Sequence, residues 1–314
     1  MALDTVWIAP DVVMDNITTV IDESAVLHRL HLEIPAGKIT VLMGPSGGGK
    51  TTLIRHLVGL LEPTGGSVFV NGQDIWDSTP DEWRKIRKNV GAMLGGSNMY
   101  TASTFSSLSV LQNLMYSLDA IGVPSELQEP RALARLEELD LVQEQNQQPE
   151  QLPAHAKKRL ALARALVLDA PLTVLDEVDV GMDSMHTDSM LQAVRGVHER
   201  VGATMLVTTH DLGVARALAD NLAILVHGRI VAFGPPEEIL EGIESTEDFD
   251  RRFEFSDYRG PAQLEEAEEI VRRSRKDEEQ RQEPRRADRP MLWVAIGAVV
   301  LIALIIVITR VNFF

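Results

Sequence analysis

The chain has no cysteine among its 314 residues. That excludes disulfides, thiolate metal sites and thiol redox chemistry. Aromatics are sparse at 5%, and 30 Lys and Arg face 46 Asp and Glu, for a formal net charge of −16. A surface of that sign repels a bulk polyanion, so nucleic acid is excluded as a partner and the acidity is read as serving solubility. The first residues, "MALDTVWIAPDVVMDN", lack the basic start and apolar stretch of a signal peptide, and the folded part is expected in the cytoplasm. Internal repeats and low-complexity tracts are missing as well.

Long uncharged apolar runs are missing until the far end. There "MLWVAIGAVVLIALIIVIT", Met291 to Thr309, contains no charge. As a helix it would span roughly 28 Å, the thickness of a bilayer core. Arg285, Arg286 and Arg289 precede it and Arg310 follows, which keeps the N-terminal part on the cytoplasmic side. Trp293, Phe313 and Phe314 stand where interfacial aromatics belong. The expectation is a single-pass C-terminal anchor with the N-terminus inside. One span cannot form a translocation pathway, so any permease is a separate chain. Before it, residues 264–290 are densely charged and read as a short charged helix followed by a flexible or extended tether.

The body before residue 264 alternates β-branched runs with longer helical patterns, which points to an α/β fold with a parallel sheet and covering helices. The clearest strands are "KITVLMG", "LTVLDE", "TMLVTTH" and "LAILVHG". The stretch of about 97–160 lacks such strands and reads as a helical insertion. Within "QLPAHAKKRLALARAL", Gln151 to Leu166, the second half reads as an amphipathic helix with a basic start, and Pro153, Ala154 and His155 stand where it begins.

"GPSGGGKTT" follows the apolar strand "ITVLM" and opens the helical pattern "TTLIRHLVGLL", so it fits a P-loop in its proper context. The loop comprises Gly44, Pro45, Ser46, Gly47, Gly48, Gly49, Lys50, Thr51 and Thr52. Gly47, Gly48 and Gly49 let backbone N–H groups wrap a phosphate, and the helix N-terminus adds positive potential. Lys50 is placed to reach the β- and γ-phosphates of ATP, and the Thr51 hydroxyl to bind Mg²⁺. In "LTVLDE", Asp176 is placed to hold Mg²⁺ directly or through water, and Glu177 to polarise an attacking water. His210 ends the strand "MLVTTH", where it can sense the γ-phosphate.

The order of these motifs, with "LARALVLDAPLTVLDE" and "VGMD" between them, resembles the ATP-binding subunits of ABC transporters from about Asn16 to Leu240. Within that superfamily, "LARALVLDAPL", "GRIVAFGPPEEIL" and the following "FDRRFEFSDYRGP" are most similar to the ATPases serving Mla/Mce lipid transporters. The resemblance implies a P-loop NTPase core with a helical subdomain at about 97–160, dimerisation around Mg-ATP, and coupling of hydrolysis to a separate permease. The organisation expected is a nucleotide-binding domain over 1–240, a C-terminal extension over 241–263, a charged linker over 264–290 and a transmembrane helix over 291–309.

The resemblance also exposes departures. Leu152, Pro153, Ala154, His155 and Ala156 stand where the family has its LSGGQ signature, which grips the γ-phosphate bound by the opposite subunit. Pro153 supplies neither hydroxyl nor N–H, and Ala154 and His155 place Cβ atoms where backbone must approach phosphate. Gly95 or Gly96 replaces the Q-loop glutamine, Val20 or Ile21 the aromatic that stacks on adenine, and Val178 a proline; Asp183 of the D-loop is kept. The implied role is an asymmetric partner of a second, conventional ATPase. The alternative is a membrane-anchored scaffold or regulator that binds ATP without hydrolysing it.

Overall fold

Residues 8–22, 24–95, 104–180 and 184–253 are described by the structure, a computed structural model. They form two sheets of different character. Strands β1 (Val12–Ile21), β2 (Ser24–Ile34), β4 (Gly65–Val70) and β5 (Gln73–Asp74) make an antiparallel sheet in the order β2-β1-β4-β5. Strands β3 (Ile39–Met43), β6 (Val90–Met93), β7 (Leu172–Leu175), β8 (Thr204–Thr208), β9 (Asn221–Val226) and β10 (Arg229–Gly234) make a second sheet in the order β10-β9-β3-β8-β7-β6. All its pairings are parallel except that of edge strand β10 with β9.

The four expected strands are β3, β7, β8 and β9. Each is buried along nearly its whole length, because helices or the other sheet cover both faces. Along β3 the side chains alternate between two cores. Val41 and Met43 join the helical side, while Leu42 joins Leu53, Ile54 and Leu57 and the antiparallel sheet. The antiparallel sheet was not expected. Its long first strand is broken by a bulge where Asn16 adopts a φ of +52°, which blurs the period-two pattern.

The helices are α1 (Lys50–Leu57), α2 (Pro80–Lys88), α3 (Val110–Ile121), α4 (Ser125–Glu138), α5 (Ala154–Leu166), α6 (Ser184–Val201), α7 (Leu212–Leu218), α8 (Pro236–Ile239) and α9 (Thr246–Arg252). Between β6 and β7 the described residues contain helices and no strand. Local chemistry sets the ends of α3. Ser109 and Gln112 form a reciprocal capping box, and Gly122 closes the helix in the left-handed conformation that a side chain disfavours.

Helix α5 departs from expectation. It begins where predicted, but it is buried along most of its length rather than amphipathic, and two of the three residues of its basic start are buried too. Lys158 is 2% exposed and Arg159 4%. Arg159 survives there because its guanidinium donates to the Leu139 and Asp140 carbonyls at 3.1 and 3.0 Å, capping the end of α4. The helix is packed between α3, α4, α6 and the β6–β7 edge, so solvent reaches chiefly its first turn.

Among the described residues no helix is long and apolar enough to cross a membrane. The expected anchor over 291–309 and linker over 264–290 lie outside the described residues.

Candidate active site

In a parallel sheet the C-terminal strand ends share one edge, and there the loops after β3, β8, β7 and β6 converge. The loop after β3 carries Gly44–Gly49. Gly44 passes so close to β9 that a Cβ on it would lie 2.1 Å from the Leu225 carbonyl oxygen, so no side chain fits. Gly49 caps α1 with a φ of +101°, a conformation that favours glycine. Ser46 and Gly47 are exposed at the loop tip, Pro45 is half-buried, and the Gly48 N–H donates to the Pro45 carbonyl at 3.1 Å. Lys50, Thr51 and Thr52 form the first turn of α1.

Lys50 is buried, and its ammonium donates to the Gly44 and Pro45 carbonyls at 2.8 and 2.9 Å. Burial lowers its pKa, while Glu177 and Asp176 act in the opposite direction and favour the charge. The cation is thus folded back on its own loop, on atoms that a phosphate can replace as partner.

Asp176 is completely buried and accepts three hydrogen bonds: from the Thr51 hydroxyl at 2.9 Å, the Thr208 hydroxyl at 2.7 Å and the Gly95 N–H at 3.2 Å. The Thr51 hydroxyl spends its proton on the carboxylate and keeps its lone pairs. A hydroxyl and a carboxylate are the hard oxygen donors that Mg²⁺ takes together with water and phosphate oxygens. Among the described residues no group of three or more His, Cys, Asp or Glu is placed to hold a metal without such help. The donor set fits Mg²⁺ that arrives with a nucleotide.

Glu177 stands next on the chain in the left-handed region, with φ +51°, which for a glutamate is an unusual conformation. It is held there because its N–H donates to the Thr208 hydroxyl at 2.7 Å. One buried hydroxyl therefore accepts from Glu177 and donates to Asp176. Val178 adds a bond that a proline could not make, its N–H donating to the Thr208 carbonyl at 3.2 Å.

His210, half-buried after β8, lines a cavity of about 290 Å³ with Gly44, Pro45, Ser46 and three residues of α9, Thr246, Phe249 and Asp250. Burial lowers its pKa, as does Lys50, so the imidazole is held neutral more firmly than usual despite Asp179, Glu177 and Asp176.

A protein-family comparison matches residues 27–179 to the ABC transporter family. A putative ABC transporter ATP-binding protein of Methanopyrus kandleri is 33% identical over 71% of this chain and 80% of its own length. The chain belongs to the ABC transporter family. A probable ribonucleotide transport ATP-binding protein, mkl of Mycobacterium leprae, is 31% identical over 73% of this chain. This cassette spans 65% of that relative's length, and 50–57% of two other transport ATP-binding proteins it matches. Among solved structures, the ATP-binding cassette MJ0796, a dimer in a post-hydrolysis state with ADP and Pi, superposes with a TM-score of 0.66 at 27% identity. That match covers 72% of this chain and 98% of the other.

The sheet edge therefore brings together Lys50, Thr51, Asp176, Glu177 and His210. It does not gather every residue singled out from the sequence. Leu152 and Ala156 are buried, Pro153 and Ala154 exposed and His155 half-buried, at the start of α5. Pro153 caps that helix without a side-chain hydrogen bond. Val20 is half-buried and Ile21 exposed at the β1–β2 hairpin; it is Leu27, further along β2, that packs against Gly49. Of the two Q-loop alternatives, Gly95 has no space for a side chain, since a Cβ would lie 2.9 Å from an Asp176 oxygen. Gly96 and Asp183 lie outside the described residues.

Sequence reasoning missed Thr208 and α9. A threonine in an apolar strand reads as β-branched filler, and only the pairing of β8 with β7 sets its hydroxyl between two carboxylate-bearing residues. Thr208→Val keeps the shape, takes the acceptor from the Glu177 N–H and removes one of the three donors to Asp176. Losing these buried bonds should lower unfolding stability by about 2 kcal/mol and slow phosphate release about tenfold. Denaturant melts and a phosphate-release assay on the same preparation check this; full activity in the valine variant would remove Thr208 from the site.

Proposed function

We propose that the chain is the ATP-binding and hydrolysing subunit of an ABC transporter, working at the cytoplasmic face of the cell membrane with a separate permease. The observation that carries this reading is the meeting of the Thr51 hydroxyl and the Asp176 carboxylate, 2.9 Å apart, beside a buried lysine at the N-terminus of α1. Backbone N–H groups of Gly47–Gly49 bind the nucleotide phosphates, and Lys50 exchanges its loop carbonyls for phosphate oxygens. Thr51 and Asp176 would hold Mg²⁺, which when bound would supply charge stabilisation to the phosphates. Glu177 orients and polarises the attacking water, with its backbone fixed by Thr208, and His210 donates one ring N–H toward the γ-phosphate.

We propose an asymmetric dimer. The Pro153 cap leaves the start of α5 without a hydroxyl, so this chain is a poor signature for its partner's nucleotide while keeping a full phosphate site of its own. A second ATPase with an intact signature completes that site. The same uncapped helix favours the scaffold reading, in which ATP binding alone holds the assembly. Retained Glu177 and His210 weigh against it, since a scaffold needs neither.

The relatives' names mention methionine import, ribonucleotide transport and glycine betaine transport, and cargo choice belongs to the permease. Lipid is proposed as cargo on the resemblance to the Mla/Mce ATPases. The segment 291–309 is proposed to anchor the chain. Purification of the full chain in mild detergent should bring a multispanning permease and a second ATPase with it. Truncation before Met291 should leave nucleotide binding intact and release the cassette from salt-washed membranes. If the truncated chain still sediments, docking to the permease holds it there and the tail is no anchor.

A further inference from the structure

Lys158 is buried deep inside α5, yet the site described above makes no use of it. Its ammonium donates to the backbone carbonyl of Val180, three residues beyond Glu177 on the segment that leaves β7. The charges it faces, Asp179, Glu177 and Asp176, all lie on that segment, and they offset part of the burial that brings its pKa down to about 8. A second contact joins the same two parts. The His155 ring, at the start of α5, stacks on His186 in the first turn of α6, with centroids 5.3 Å apart and planes 27° apart. In sequence, the two contacts flank residues 181–183.

A lysine is costly to bury and flexible to hold, and a leucine would fill this interior at less expense. Its head group is satisfied by a carbonyl of the very segment that carries the carboxylates. We propose that Lys158 is a positioning residue for hydrolysis: from inside α5 it holds the Val180 carbonyl, fixes the backbone on which Glu177 stands, and so couples the signature-bearing helix to this chain's own phosphate site. Movement of α5 against a partner's nucleotide is then felt at Glu177, and the converse holds. Glu177 itself is suited to such control, because its left-handed backbone persists only while its surroundings impose it.

This inference rests on the reading of the chain as an ATPase, and the test separates the two. Lys158→Met fills the same volume without a donor, and Lys158→Gln keeps an N–H. In the full chain with its copurified partners, Lys158→Met should lower kcat about tenfold and leave KM for ATP within about twofold, with Lys158→Gln recovering much of the loss. Hydrogen exchange gives a readout independent of turnover. The Val178 amide, bonded to Thr208, should exchange about tenfold faster in Lys158→Met, and Lys158→Gln should slow it again. Unchanged exchange and kcat in Lys158→Met, or a raised KM with kcat kept, would overturn the proposal. If the wild type binds ATP without turnover, the ATPase reading fails and the exchange experiment still decides whether the clamp exists.

Discussion

Lys50→Ala should lose Mg-ATP binding by at least about a hundredfold. The lysine is buried at the base of the phosphate loop, and its two acceptors, the Gly44 and Pro45 carbonyls, belong to the loop itself. When phosphate enters, the ammonium leaves neutral acceptors for charged ones, a gain that alanine cannot reproduce. The mutant loop keeps its shape better than its affinity, because Gly44 is wedged against Leu225 and Gly49 caps α1 independently of the lysine. Thermal stability should therefore change little while fluorescent-nucleotide titration shows the loss. Equal affinity in mutant and wild type would remove the phosphate site from this loop.

The second large effect runs in the direction of gain. Pro153→Ser, Ala154→Gly and His155→Gly together should raise turnover roughly a hundredfold at the site this helix serves. The start of α5 would regain a capping hydroxyl and amides that can approach phosphate closely. About 2.7 kcal/mol of transition-state stabilisation gives that factor. The exposed positions of Pro153 and Ala154 let the change be made without disturbing the core, whereas Leu152 and Ala156 are buried and are left alone. A signature acts on the facing subunit, so the gain should vanish when the partner's P-loop lysine is removed and survive Lys50→Ala better. His155→Gly also dissolves the stack on His186. No gain in any pairing would move the limiting defect to the Q-loop, where the resemblance puts Gly95 or Gly96 in place of a glutamine. That residue would have to be restored at position 96, since position 95 has no room for a side chain.

Much of this site was legible because its parts are local. A P-loop is contiguous, and the strand before it and helix after it are written within a score of residues. The strands just before Asp176 and His210 each stand out as an apolar run. What was not legible depends on which strands become neighbours. Thr208 matters because β8 lies beside β7. Gly95 matters because the loop after β6 crosses Asp176 closely enough for its N–H to donate at 3.2 Å. The residues of α9 line the His210 cavity across an interval of more than thirty positions, a proximity no local pattern encodes. The antiparallel sheet was hidden by its bulge, and α5 read as amphipathic because two of its basic residues are paid for by backbone carbonyls instead of water.

Glu177→Gln tests the central claim most directly. The substitution keeps the size of the residue, whose backbone is left-handed, and removes the carboxylate proposed to activate water. With permease and second ATPase present, the account predicts unchanged Mg-ATP affinity and phosphate release at this chain's site reduced at least about a hundredfold. Phosphate release at the wild-type rate, measured with the partner's own P-loop lysine removed so that only this site turns over, would contradict it.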